Sequence, residues 1–238
     1  MMDAMMPTLN SHDLAQRSTD VAVLPVGSFE QHGRHLPLTT DSLIATAIAH
    51  RITDDHDLFL LPPVTFGCSH EHAIFAGTVS IRATTLYSIV MDIADSLRQA
   101  GIMKLAIING HGGNYVLNNV VRESNVSGPR LLLFPQSPDW TDARRHAGLI
   151  TTNHEDMHGG EAETSIMLDR HPNLIKDGYQ SADHLVDDRR HLLTVGLGSY
   201  APEGIIGRPS LATAEKGRLL LDALSSQFKA HLAYLRPH

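Results

Sequence analysis

The chain has 238 residues, 42% of them hydrophobic and 19% charged, a balance that excludes a disordered or fibrous class and allows one α/β domain to bury its own core. A formal charge of -7 without any dense basic run argues against nucleic acid and for a small-molecule substrate. Cys68 is the only cysteine, which rules out an internal disulfide and any multi-cysteine metal site and leaves oxygen and nitrogen donors for a metal.

The start, Met1 to Asp13, lacks the charged and apolar regions of an export signal, and no apolar run reaches membrane-spanning length. A cytoplasmic protein with no membrane partner is expected. Val21 to Val26 is the first β-rich apolar run, and Ile44, Ile48 and Ile52 then repeat at four-residue spacing as a helix would. Leu58 to Leu61 predicts a second strand. Leu86, Ile89, Val90, Ile93 and Leu97 form one helical face ending before Gly101. Leu105 to Ile108 and Leu131 to Phe134 predict two more strands, a helix follows His158-Gly159-Gly160 as far as His171-Pro172, and a last helix starts near Thr213. Residues 173–210 read mainly as loop. Alternating strands and helices predict a three-layer αβα fold with a mostly parallel sheet, as one domain over 1–238.

In such sheets the chemistry collects beyond the carboxyl ends of the strands. Two polar clusters lie there: Gly27-Ser28-Phe29-Glu30-Gln31-His32-Gly33 after the first strand, and Asn109-Gly110-His111-Gly112-Gly113-Asn114 after the third. Glu30 and His32, two apart in extended chain, point to one side. Asp41 begins the next helix, close enough for a folded loop to deliver its carboxylate beside them. His111 lies among glycines, and its imidazole is expected to face the opening. Singly, each has a plainer role, such as helix capping for Asp41 or a favourable helix-dipole charge for Glu161 and Glu163. Their joint position after successive strand ends favours a metal centre. Imidazoles and carboxylates without thiolate suit Zn²⁺, Mn²⁺ or Fe²⁺ in an open catalytic site, and two such ions activate a bridging hydroxide and polarise a carbonyl.

Gly27 to Gly33 with His35-Leu36-Pro37-Leu38 and Thr40-Asp41, the Asn109 to Asn114 loop, Phe75-Ala76-Gly77-Thr78-Val79-Ser80 and His158 to Ser165 together resemble the creatininase family over nearly the whole chain. The resemblance implies a binuclear metal hydrolase, often a homohexamer, acting on cyclic amides, formamides or small peptides. It implies Glu30, His32, Asp41 and His111 as ligands, with Asp41 bridging, and His158 as a substrate-contacting proton shuttle. Creatininase itself draws a ligand from a glutamate at the position that is Gly113 here, so Glu161 is taken as the replacement carboxylate and Glu163 is expected to matter less. The Trp-Asp pair of creatininase is replaced around His154 and Glu155, and Trp140, the only tryptophan, is well upstream. Creatinine is therefore expected to be a poor substrate. His72 matches a recurring family histidine, whereas His70 reads as a solvated loop residue and Cys68 lacks an acid–base partner.

The expected function is metal-dependent hydrolysis of a non-peptide C–N amide bond. The alternatives are a peptidase trimming a short peptide, as creatininase-like members of mycofactocin maturation do, and a catalytically silent metal-binding protein.

Overall fold

The computed structural model describes residues 6–17 and 19–236; Met1 to Met5, the start of the stretch inspected for a leader, lie outside them. A short helix α1 (Ser11–Ala15) precedes β1 (Val21–Val26), α2 (Thr40–Asp55), β2 (Phe59–Leu60), α3 (Ala83–Gln99), β3 (Lys104–Asn109), α4 (Val116–Ser124), β4 (Leu131–Phe134), α5 (Ser137–His146), α6 (Glu161–Arg170), α7 (Leu192–Val195) and α8 (Ala214–Leu235). The four strands form one parallel sheet in the order β2-β1-β3-β4.

Side-chain alternation along the central strands divides the core into two apolar layers. Val21, Val23, Ala106 and Ile108 pack beneath α2, α5, α6 and α8, while Ala22, Leu24, Leu105 and Ile107 pack beneath α3 and α4. Helices cover both faces, as parallel strands buried on both sides require. The predicted face of α3 is present, with Leu86, Val90, Ala94 and Leu97 fully inside. Thr213 caps α8, its hydroxyl accepting from the Lys216 amide. The second strand is shorter than Leu58 to Leu61 because it lies at the sheet edge and pairs over two residues only. Residues 173–210 hold all or part of four single 3₁₀ turns, and α7, and otherwise no regular structure. Among the described residues no helix is long and apolar enough to cross a membrane.

Two close approaches bring α2 under the carboxyl ends of β1 and β3. A Cβ on Gly27 would lie 2.4 Å from the Ser42 backbone nitrogen, and one on Gly110 would lie 2.4 Å from the Asp41 carbonyl oxygen. Glycine at these positions lets the first turn of α2 sit against both strand ends, and it buries Thr40, Asp41 and Ser42.

Candidate metal centre

Beyond β1 the chain turns back on itself: the Glu30 amide donates to the Leu38 carbonyl at 3.0 Å, and His32 and Leu36 form an antiparallel bridge. This loop returns Asp41 to Glu30 and His32, as the sequence predicts. His32 Nε2 lies 2.9 Å from Asp41 Oδ1. His111, from the loop after β3, places Nδ1 3.2 Å from Asp41 Oδ2 and Nε2 3.2 Å from Glu30 Oε2. His111 does not face the opening; it is buried between the two carboxylates.

His158 joins through an antiparallel bridge to Ile206. Its Nε2 donates to the Gln31 carbonyl at 2.6 Å, and Nδ1 faces Glu30 Oε1 at 3.7 Å. His72, on a 3₁₀ turn formed by His70–His72, brings Nε2 to 3.3 Å from Glu30 Oε1.

The expectation for Glu161 is corrected by the geometry. Asp156 caps the start of α6, accepting from the Glu161 and Ala162 amides, and is itself held by the buried Arg144. This fixes Glu161 facing away from the cluster. Its carboxylate accepts from the Thr151 amide at 3.0 Å, the Thr151 hydroxyl at 2.7 Å and the Lys216 ammonium at 2.5 Å. All its acceptor capacity is used in joining α6 to α8 and to the loop at Thr151. Two helical positions correspond to a rotation of about 200°, so Glu163 faces the cluster, with Oε2 4.0 Å from His32 Nε2. Glu163, expected to matter less than Glu161, is thus the one beside the cluster, and the partner of His72 described next is what sequence reasoning missed.

Gln31 lies between the two acidic and basic ligand candidates in sequence. Its amide nitrogen donates to the Gly204 carbonyl at 3.1 Å and to His72 Nδ1 at 3.0 Å, and its Oε1 accepts from the Gly33 amide at 2.9 Å. This sets the His72 tautomer with Nε2–H toward Glu30. His32 Nδ1 likewise donates to the Glu30 carbonyl at 3.1 Å, an outer hydrogen bond typical of metal-binding imidazoles, and leaves Nε2, which faces Asp41, as the atom able to ligate a cation.

Three sets of side chains lie close enough to hold a cation: Glu30, Asp41 and His111; His32, Asp41 and Glu163; and Glu30, His32 and His158. Asp41 belongs to the first two and so can join them. Glu30 is 0% exposed, yet neither of its oxygens has a hydrogen-bond partner among the described residues, and neither has Asp41 Oδ2. Buried carboxylate oxygens without partners are costly, and a divalent cation satisfies all three. The donor set therefore fits the metal.

The electrostatics agree. Burial, reinforced by the Asp41 charge, raises the Glu30 carboxyl to about 7. Burial likewise raises Glu163 to about 7 against the opposing pull of His32. For His32, burial is outweighed by Asp41, Glu163 and Glu30, and the imidazole rises to about 10; His111, similarly buried but facing Glu30 and Asp41, also rises to about 10. In Asp41, burial is overcome by His32 and His111, and the carboxyl falls far below its ordinary range. Burial, aided by the charges of His32 and His72, holds His158 well below the usual imidazole range. Burial also pushes the Cys68 thiol up, against a nucleophilic role. His154 is exposed and paired with Asp187 at 3.0 Å, outside the cluster, and Glu155 accepts from the Thr152 amide and hydroxyl in its own turn.

Comparison with known proteins adds to this geometry. The family model described as creatininase, creatinine amidohydrolase, matches residues 7–232. The mycofactocin precursor peptide peptidase of Mycobacterium ulcerans (strain Agy99) is 32% identical over 228 residues, covering 90% of this chain and 85% of that protein. The creatinine amidohydrolase of Pseudomonas putida is 27% identical over 224 residues, covering 85% and 84%. Among solved structures, creatinine amidohydrolase (creatininase) aligns with a TM-score of 0.82 at 24% identity, covering 97% of both chains, which is a likeness of fold.

Proposed function

From the premise that this chain belongs to the creatininase family of hydrolases, we propose that it hydrolyses the C–N bond of an amide at a centre of two divalent metal ions held by Glu30, His32, Asp41, His111 and Glu163. The observation that carries this reading is the set of unpartnered oxygens of Glu30 and Asp41, fully buried among imidazoles. The mixture of nitrogen and oxygen donors suits Zn²⁺ first and Mn²⁺ or Fe²⁺ as alternatives. Bound cations of this kind supply Lewis acidity toward a carbonyl and lower the pKa of water.

The chain's own residues provide the rest. Asp41 lies between the two ligand sets and holds them in register through His32 and His111. His158 is kept neutral, and its bond to the Gln31 carbonyl leaves Nδ1 free to accept a proton. At that atom it takes a proton from the attacking water and returns it to the leaving nitrogen. Gln31 sets the orientation of His72 beside Glu30, so that both faces of the Glu30 carboxylate are defined.

Two substrate classes present the same scissile group. The greater identity to the mycofactocin precursor peptide peptidase over most of both chains favours a short peptide; the sequence departures around His154 favour a non-peptide amide other than creatinine. In both cases the substrate is small, and assembly into a homo-oligomer, hexameric by resemblance, belongs to the same reading. The test is liquid chromatography with mass spectrometry of short peptides, formamides, cyclic amides and creatinine, incubated with chelator-stripped and with Mn²⁺- or Zn²⁺-reloaded protein. Cleavage of a C–N bond only after reloading supports the proposal. Equal cleavage by stripped protein contradicts it.

A further inference from the structure

The turn at His70–His72 brings more than one group to the cluster. Besides His72, it carries Glu71, whose Oε1 stands 3.8 Å from His111 Nε2. A Cβ on Gly113 would lie 2.4 Å from the same oxygen, so Glu71 occupies the space that any side chain at position 113 would enter. The Glu71 side chain is 17% exposed. Among the described residues it pairs with no lysine or arginine and its carboxylate accepts no hydrogen bond; its one ion-pair partner there is His111. The adjacent Cys68 carbonyl accepts from His111 Nε2 at 3.0 Å, so the same segment also orients that imidazole.

Charge balance gives this placement a purpose. Glu30, Asp41 and Glu163 bring three negative charges to the ligand sets, whereas two divalent cations bring four positive ones, so one positive charge is uncompensated whenever neutral water rather than hydroxide is bound. Uncompensated charge in a buried site is strongly unfavourable. We propose that Glu71 is the fourth carboxylate of the metal centre, held over Gly113 at its solvent edge to complete the charge and retain the ion bound beside His111. This rests on the two-metal reading above and assigns to this loop a role in holding the ion.

Glu71→Gln keeps the size of the side chain and removes its charge. Metal-free wild type and variant are titrated with Mn²⁺ and with Zn²⁺ in competition with a chromophoric chelator. The variant is expected to bind one of the two ions about 10- to 100-fold more weakly, with Glu71→Asp closer to wild type. Thermal melting of the metal-free forms separates this from a folding role. Glu71→Gln should melt close to wild type, because it loses no hydrogen bond and weakens only a 3.8 Å approach to His111. Wild-type affinity for both ions in Glu71→Gln overturns the proposal, as does a large fall in the melting temperature of its metal-free form. If either variant fails to fold, that outcome also counts against it, since the proposal gives Glu71 no structural task. Failure of the wild type to bind any divalent ion would instead sink the two-metal reading itself.

Discussion

Glu161 and Glu163 stand two residues apart at the start of α6 and serve different partners, so Gln at each position has a different expected outcome. Glu163→Gln should lower the occupancy of one ion and lower turnover with it, measured by elemental analysis and kinetics on the same preparation. Glu161→Gln should leave metal content unchanged but lose the charge-assisted bonds from Lys216 and Thr151, costing about 2 kcal/mol of stability in urea unfolding. In Glu161, burial is outweighed by these same partners and the carboxyl is held below its ordinary value. Its stabilising contribution is therefore present at neutral pH and disappears as pH falls through the lowered value, so the gap between wild type and Glu161→Gln should narrow in acid. The histidines behave in the opposite sense. His32 and His111, raised to about 10 in the metal-free protein, are protonated at neutral pH and must lose those protons to bind a cation. Metal affinity should continue to climb with pH toward about 10, well above the ordinary imidazole value near 6.5. Calorimetry in buffers of different ionisation enthalpy should detect proton release on binding at pH 7; binding with no proton release would contradict the assignment of these imidazoles.

At the scale of elements, the centre depends on how closely α2 approaches the strand ends. Gly110→Ala would drive a Cβ into the Asp41 carbonyl, pushing the first turn of α2 from β3 while leaving every ligand chemically intact. It should cost about 1–3 kcal/mol in stability and weaken metal binding in a chelator-competition assay; unchanged affinity would show that the approach is not needed to place Asp41. Much of this layer was legible in the sequence. Val21 to Val26 and Leu131 to Phe134 are strands with the predicted bounds, because buried parallel strands carry uninterrupted β-branched and aliphatic runs. The helices α4 and α5 were not read: Val116–Ser124 is short, and α5 is mostly polar, announced only by its Gln136 and Asp139 capping box. That Glu30, His32 and His111, on the loops after β1 and β3, and Asp41, in the first turn of α2, come together was legible because these stretches lie at the carboxyl ends of the strands. The facing of Glu163 was not, because it depends on the Asp156 cap and the Lys216 partner, which come from distant stretches of chain and fix the rotation of α6.

For the whole molecule, folding and metal binding are linked. The native state gathers carboxylates and imidazoles that an unfolded chain disperses, so cations bind the folded form preferentially and stabilise it. With free ion at 100 times the dissociation constant of a site, the gain is about 2.7 kcal/mol per site, and chelation should lower the melting temperature correspondingly. The family, the parallel sheet and the buried, unpartnered oxygens of Glu30 and Asp41 support the proposal that this hydrolase works through a pair of metal ions. The most direct measurement is elemental analysis of purified protein, stripped and stepwise reloaded, with hydrolysis of a cleaved amide or short peptide followed on each fraction. The account predicts about two divalent ions per chain at full activity and loss of activity on stripping; full activity with only trace metal would contradict it.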